Sequence, residues 1–157
     1  MSNPKIAISW ENGAPPAELD EGELRRALSL FVSGLGRGEA EISLLMAGDA
    51  TLAGLNERFR GVAAATDILC WNYRATDAGP APDGPALEGE LALSLARARS
   101  QARANGWDLR TEVLRLLAHG CAHLAGYDHQ TASGEQEMRA VEIALLAKTG
   151  LRNLYPG

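Results

Sequence analysis

Every histidine of the chain lies in one short stretch, at His119, His123 and His129. His119 and His123 are four residues apart, so on a helix both imidazoles project from the same face, one turn apart. Gly126 follows three residues after His123 and can take the left-handed conformation that ends a helix. The chain could then turn back, so that His129 in the following loop lies near the other two histidines. Three converging imidazoles predict one bound Zn²⁺ ion with its fourth position open, as in catalytic zinc sites.

The residue after the first histidine decides which zinc chemistry this stretch predicts. A zinc ion held by three imidazoles lowers the pKa of its bound water to about 7, so hydrolysis needs no separate base. The ligand spacing is also that of long zinc-protease motifs, in which a glutamate after the first histidine is the general base. Here that residue is Gly120, and a metallopeptidase would need Glu90 as a displaced base. We interpret Gly120 as allowing a bulky substrate to approach the metal closely.

A second group of polar residues precedes a predicted strand. Asn56, Arg58 and Arg60 end a predicted helix, where they could clamp a phosphate or a carboxylate. A phosphodiester in the transition state of hydrolysis needs a cation, and Arg60 can supply bidentate hydrogen bonds. Thr66 and Asp67 stand at the entrance of the strand, as polar residues do when they orient a site or cap a turn.

The stretch from His119 to His129 reads HGCAHLAGYDH and resembles the H-G-x-x-H-L-x-G-Y-D-H signature of the YbeY family. Members of that family are bacterial zinc-dependent endoribonucleases associated with ribosomal RNA maturation and ribosome quality control. Two other segments are similar to the family's L-N, Y-R-G, T-D-V-L and G-D-I patterns. The corresponding residues are Leu55-Asn56, Phe59-Arg60-Gly61, Thr66-Asp67-Ile68-Leu69 and Gly89-Glu90-Leu91, the last with glutamate in place of the family's aspartate.

The resemblance implies that Arg60 is the family's functionally required arginine. With the histidine spacing and the polar helix end, it predicts catalysis by Arg60 and His119, substrate contacts by Arg60 and Asn56, and zinc binding by His119, His123 and His129. Thr66, Asp67 and Asp128 would then support the site; we favour orientation of an imidazole or a turn-capping role for Asp128 over a proton shuttle.

The chain departs from the family at two places. Cys70-Trp71 replace the usual Ser-Phe, and residues 62–65 replace a basic loop. The loss of the basic residues should weaken RNA affinity.

Length, composition and charge indicate the number of domains, the location and the kind of surface to expect. The 157 residues predict a single metal-dependent hydrolase domain over 1–157. No apolar run reaches the roughly 18 residues of a membrane span, so we expect a cytoplasmic protein with two reduced thiols. The net charge of -5 is unusual for a nucleic-acid enzyme. Arginines in the second half could form a local basic face, or only a solvated helix surface: Arg97, Arg99, Arg103, Arg110 and Arg115.

The pattern of apolar residues predicts an α+β fold, a small mixed β-sheet of about four strands packed by about five helices. Strands are predicted at 5–10, 41–47, 67–73 and 87–94, and helices at 18–35, 49–59, 95–105, from residue 109, and from a capping box at Ser133 and Gln136. The helix that carries the histidines should lie against the sheet, as in zincins. Asp49 and Asp108 are predicted N-caps, and residues 77–85 a loop.

These observations predict a zinc-dependent, single-strand-specific endoribonuclease. Its expected partners are ribosomal RNA and the small ribosomal subunit, with processing of the small-subunit rRNA 3′ end as its task, and neither DNA nor a membrane. The alternative is a zinc-stabilised ribosome-binding assembly factor with little intrinsic catalysis, which the acidic charge and the loss of basic loop residues favour. The oligomeric state is left open.

Overall fold

A computed structural model of the protein describes residues 4–36, 39–72, 87–128 and 130–155. Over these ranges it has five helices and a four-stranded mixed sheet, which confirms the predicted α+β fold. His129, Tyr73 and the predicted loop at 77–85 lie outside the described residues. The elements in chain order are β1 (Lys5–Trp10), α1 (Glu21–Gly34), β2 (Ala40–Ala47), α2 (Asp49–Arg60), β3 (Ile68–Asn72), β4 (Leu87–Ser94), α3 (Leu95–Asn105), α4 (Leu109–Leu124) and α5 (Ala132–Ala147).

The strands are ordered β1-β2-β4-β3 across the sheet. β1, β2 and β4 run parallel, and β3 pairs antiparallel with β4. β1 therefore occupies one edge, and β3 occupies the other. Because side chains alternate between the two faces of a strand, β3 divides its residues between two different surroundings.

Each face of the sheet is covered by its own set of helices. The larger apolar cluster joins one face to α1, α4 and α5, through side chains such as Phe31, Leu44 and Leu117. On the opposite face a smaller cluster contains Leu52 of α2 and Leu69 of β3. The apolar side of α4 is buried in the larger cluster, through Val113, Leu116, Leu117, Cys121 and Leu124.

Gly120 is part of this packing. A methyl group at Gly120 would lie 3.0 Å from Cδ1 of Ile68 on β3, and the residue is buried. The prediction that Gly120 lets substrate approach the metal is therefore wrong. The glycine is one helical position, about 100° of rotation, from His119, so it faces the sheet when the imidazole does not. It allows α4 to lie close to the strands.

Several helix starts differ from their predicted positions because other residues make the caps. α1 begins at Glu21, since the Asp20 carboxylate accepts hydrogen bonds from the Gly22 and Glu23 amides. The prediction that Asp49 caps α2 is wrong, because Gly48 is the N-cap. The Asp49 carboxylate instead accepts a hydrogen bond from the Ser94 hydroxyl at 2.8 Å. The capping box at Ser133 is also wrong, because α5 is capped two residues earlier by Thr131. Asp108 caps α4 as predicted.

Both cysteines are free thiols, and Cys121 is fully buried on the core side of α4. Burial raises the pKa of the Cys121 thiol, with a further contribution from the nearby Cys70. Across the described ranges, no helix has the length and apolarity that a membrane span requires.

Candidate active site

α4 presents the two described histidines on one face, as their spacing predicts. The ring centroids of His119 and His123 are 4.9 Å apart, and the rings are close to perpendicular, at 85°. Both rings line a cleft of about 530 Å³ between α4, β3 and the end of α2. The opposite side of the helix is buried in the core, so packing of the apolar face directs the imidazoles into the cleft.

The chain turns sharply after α4. Ala125 is the C-cap, and Gly126 has a positive φ of 104°, as predicted for the residue that ends this helix. Tyr127 packs against the core. The Asp128 carboxylate accepts a hydrogen bond from the Gln130 amide at 3.2 Å, which gives it a turn-capping role at the rim of the cleft.

The cleft brings together most of the described residues that the sequence predicts for the site. α2 contributes Arg60, and the residues before β3 contribute Thr66 and Asp67, opposite the histidines of α4. Asp67 accepts a hydrogen bond from the Ile68 amide at 2.7 Å, so its carboxylate fixes the start of β3. The described lining residues are Arg60, Thr66, Asp67, Ile68, Cys70, Asn72, His119, His123, Leu124, Asp128 and Gln130.

Asn56 is not among the lining residues of this cleft. Its side chain is buried on α2, and its amide donates a hydrogen bond to the Ala64 carbonyl at 2.8 Å. The side chain therefore ties the loop that follows Arg60 to the helix. Contact between Asn56 and a substrate stays a prediction.

Three cleft residues on β3, Ile68, Cys70 and Asn72, are not among the predicted site residues. Asn72 donates a hydrogen bond to the Leu124 carbonyl at 2.5 Å, which joins the edge strand to the end of α4. Burial raises the pKa of the Cys70 thiol to about 12, although the charge of Arg60 lowers it. The period-two alternation of β3 was the available signal, because it places residues 68, 70 and 72 on one face.

A buried carboxylate stands behind His119. Oε1 of Glu142, on α5, lies 3.3 Å from Nδ1 of His119, and only 7% of the Glu142 side chain is exposed. Burial raises the pKa of Glu142, but the hydrogen bonds from His119 and Tyr155 and the charge of Arg115 outweigh it, so the pKa lies below its usual value. The sequence signal was a glutamate on the apolar face of a helix, between Met138 and Leu145.

Glu90 lies on the other face of the sheet. It pairs with Trp71 across β4 and β3, and both line a second cavity, of about 490 Å³, beside α2. The Trp71 ring packs edge-on against Phe59, with centroids 5.5 Å apart. Because Glu90 points away from the histidines, it cannot serve as the displaced base of a peptidase at this cleft.

Four of the five arginines named above on α3 and α4 are held in ion pairs and are not available as a free basic face. Arg97 pairs with Asp49 at 3.1 Å, Arg110 pairs with Glu23 at 2.7 Å, and Arg99 pairs with Glu18. Arg115 is held by Glu112. Of the described residues that line the histidine cleft, Arg60 carries the permanent positive charge.

The residues around His119 fit a zinc ion in their chemistry. Two imidazoles on adjacent turns of α4 offer nitrogen ligands to a metal. The Glu142 carboxylate lies at Nδ1 of His119, which leaves Nε2 of that ring as the ligating atom. Within the described ranges no third His, Cys, Asp or Glu joins them in a cluster that could hold a metal. The predicted third ligand is His129, which is outside those ranges.

A family model described as Endoribonuclease YbeY matches residues 15–150 of the chain. The chain belongs to the YbeY family. Three relatives, each named Endoribonuclease YbeY, illustrate the similarity. The protein of Moorella thermoacetica is 41% identical over 121 residues, which cover 73% of this chain and 76% of the relative. That of Paramagnetospirillum magneticum is 34% identical over 94% of this chain and 90% of its own. The protein of Thermus thermophilus is 38% identical over 87% of this chain and 95% of its own length.

The fold agrees with a solved structure as well. The solution structure of a protein from Thermotoga maritima superimposes with a TM-score of 0.57, at 19% identity, over 92% of this chain and 91% of that protein. At this identity the comparison supports the arrangement of helices and strands.

Proposed function

We propose that this protein is a zinc-dependent endoribonuclease that cleaves single-stranded RNA. The observation that carries the proposal is the cleft in which Arg60 of α2 faces His119 and His123 of α4. The YbeY relatives are named as endoribonucleases, which supports RNA as the substrate class.

His119, His123 and His129 would hold one Zn²⁺ ion. Once bound, the ion would supply Lewis acidity toward a phosphoryl oxygen and a water molecule of lowered pKa. Neutral imidazoles suit this task because they leave the ion with its positive charge.

Arg60 would bind the phosphodiester. Its guanidinium lies at the cleft on the last residue of α2, and it can donate two parallel hydrogen bonds to phosphate oxygens. The charge that develops on those oxygens strengthens these bonds in the transition state, so Arg60 contributes to rate and not only to binding. Asn56 holds the loop beyond Arg60 through the Ala64 carbonyl, which preserves the shape of this wall.

We further propose that the RNA is ribosomal. The activity would act at the 3′ end of small-subunit rRNA and in ribosome quality control, with the small subunit as partner and the cytoplasm as location. DNA is not an expected substrate. These finer assignments rest on the resemblance to the family.

The test is cleavage of a single-stranded RNA oligonucleotide by purified wild type, Arg60→Ala and His119→Ala, with and without a chelator. Arg58→Ala is the matched control, since Arg58 is on the same turn of α2 but lines the other cavity. Wild type should cleave, and the chelator should abolish cleavage. Arg60→Ala should keep bound zinc and lose roughly 100-fold or more in rate. His119→Ala should lose both.

The outcomes separate the parts of the proposal. An Arg60→Ala protein that cleaves like wild type would remove the arginine from the site. Equal cleavage by all four proteins would reveal a contaminating nuclease. Chelator-insensitive cleavage that His119→Ala still abolishes would retain the ribonuclease and exclude the metal.

A ribosome-assembly factor with little catalysis is the second candidate. Two exposed apolar side chains on either side of Arg60 favour it: Phe59, on α2, is 58% exposed, and Val62, where the resemblance implies a basic loop, is 50% exposed. Exposed apolar surface is typical of protein contacts. This candidate predicts that Arg60→Ala still associates with small subunits although no cleavage is measurable in wild type.

A further inference from the structure

Glu142 occupies a position where a carboxylate is costly. It lies on the apolar face of α5 with Met138, Leu145 and Leu146, and it is 5% exposed. A charged group that is buried in this way is stable only where hydrogen bonds and opposite charge replace its lost hydration. Its contacts therefore indicate what the carboxylate does.

Those contacts converge on one oxygen. Oε1 of Glu142 lies 3.3 Å from Nδ1 of His119 and accepts a hydrogen bond from the Tyr155 hydroxyl at 2.8 Å. Tyr155 belongs to the segment after α5, and it also interacts with Arg115, one turn before His119 on α4. The carboxylate is thus fixed between α4 and the C-terminal segment.

We propose that Glu142 is a positioning residue that holds His119 in the Nδ1–H tautomer. An Nδ1–H that donates to the carboxylate leaves the Nε2 lone pair as the acceptor of the ring, and it sets the rotation of the imidazole. A carboxylate behind a metal-binding histidine also raises the basicity of the ligating nitrogen. The inference rests on the proposed function, because it assigns Nε2 of His119 as the zinc-binding atom.

Tyr155 helps to hold the Glu142 carboxylate in place. Its hydroxyl occupies part of the acceptor capacity of Oε1 and restricts rotation of the Glu142 side chain. Replacement of this hydroxyl should loosen the carboxylate without removing it. Tyr155→Phe should therefore act in the same direction as a Glu142 substitution, with a smaller effect.

Nitrogen NMR of metal-free protein, at a pH where the imidazole is neutral, measures the His119 tautomer. Zinc affinity is then measured by competition with a chromophoric chelator. The variants are Glu142→Ala, Glu142→Gln and Tyr155→Phe. Glu135→Ala is the matched control, because Glu135 is on the same helix and pairs with Arg139 in solvent.

Wild type and Glu135→Ala should show the Nδ1–H form. Glu142→Ala should move the tautomer equilibrium toward Nε2–H and weaken zinc binding by roughly 10- to 100-fold. Glu142→Gln retains an acceptor oxygen and should keep the tautomer while it weakens zinc binding less. If Glu142→Ala does not fold, Glu142→Gln and Tyr155→Phe carry the zinc measurement, and both must bind more weakly than wild type.

A folded Glu142→Ala protein with the wild-type tautomer and the wild-type zinc affinity would overturn the inference. So would folded Glu142→Gln and Tyr155→Phe proteins that both bind zinc as wild type does. Failure of wild type to bind zinc would instead overturn the metal in the proposed function. In that case the tautomer in metal-free protein still decides whether Glu142 orients His119.

Discussion

Gly120 on α4 and Leu91 on β4 are so close that a methyl group at Gly120 would lie 3.0 Å from Cδ2 of Leu91. A protease-like glutamate at this position would enter the sheet and not the cleft. Gly120→Glu should therefore lower the free energy of unfolding by roughly 3 kcal/mol or more, through overpacking and burial of a carboxylate among apolar groups. It should produce no peptidase activity.

Urea unfolding of Gly120→Glu beside Gly54→Glu measures this effect. Gly54 is an exposed position in α2 with open space around it. There the same substitution should be neutral or stabilising by up to about 1 kcal/mol, because glycine is a poor helix former. Equal stability of the two variants would contradict the close approach of α4 to the sheet.

The start of α4 should make stability depend on pH. The hydrogen bonds from Thr111 hold the pKa of Asp108 below its usual value. A lowered folded-state pKa means that the carboxylate stabilises the protein above the unfolded pKa of about 3.9 and that this contribution is lost as the pH falls through the folded pKa. Asp108→Asn keeps a capping oxygen without the charge, so its stability should approach that of wild type in acid.

The measurement is the free energy of unfolding of wild type, Asp108→Asn and Asp108→Ala over an acidic pH series. At neutral pH, Asp108→Ala should lose about 1 kcal/mol, because the Thr111 amide loses its acceptor. A difference between wild type and Asp108→Asn that stays constant down to the lowest pH would show that the charge of Asp108 does not contribute.

The buried carboxylate of Glu112 should be the most sensitive polar group of α4. It is fully buried and accepts hydrogen bonds from Trp107 at 3.0 Å and from Gln101 at 2.5 Å, and it pairs with Arg115 at 2.6 Å. Glu112→Ala leaves these donors and a half-buried charge without their acceptor, at a cost of roughly 3–5 kcal/mol. Thermal and urea unfolding of metal-free protein report the loss.

The control for this prediction is Glu135→Ala. Glu135 pairs with Arg139 at 3.9 Å, and both side chains are more than half exposed. Exposed pairs of this kind contribute little, so the loss should stay below about 1 kcal/mol. Similar losses in the two variants would mean that the Glu112 cluster is hydrated in solution.

Local sequence determined what could be predicted of this site. The spacing of His119 and His123 predicted one face of a helix, and the apolar residues of α4 predicted which side is buried. The contact of His119 with Glu142 could not be predicted, because helical periodicity does not say which helices pack together. A charged residue on an apolar stripe was its one local sign.

The arginines of α3 and α4 illustrate the same limit. The acidic residues near the N-terminus and the arginines of the second half are separate charge clusters in the sequence. In the fold they meet as pairs, such as Arg110 with Glu23. Long-range pairing therefore neutralises most of a basic face that the linear charge pattern allowed, and the structure is needed to reveal it.

The salt dependence of RNA binding should be shallow for this protein. Arg60 supplies the permanent positive charge among the described cleft residues, and Val62 is exposed where the family typically has a basic loop. Binding of a single-stranded RNA should weaken with salt by a slope of about -0.7 for each phosphate neutralised. We therefore expect a shallow slope, which Arg60→Ala makes shallower by about 0.7 and Val62→Lys makes steeper by up to about 0.7.

Fluorescence anisotropy of a labelled RNA, in chelator to prevent cleavage, measures these slopes, with Arg58→Ala as the matched loss of charge outside the cleft. Each release of a condensed counterion adds to the slope, so the slope counts phosphate contacts independently of absolute affinity. If Arg60→Ala and Arg58→Ala change the slope equally, Arg60 is not a phosphate contact but part of the general charge of the protein. An unchanged slope in Val62→Lys would place the RNA away from the loop after α2.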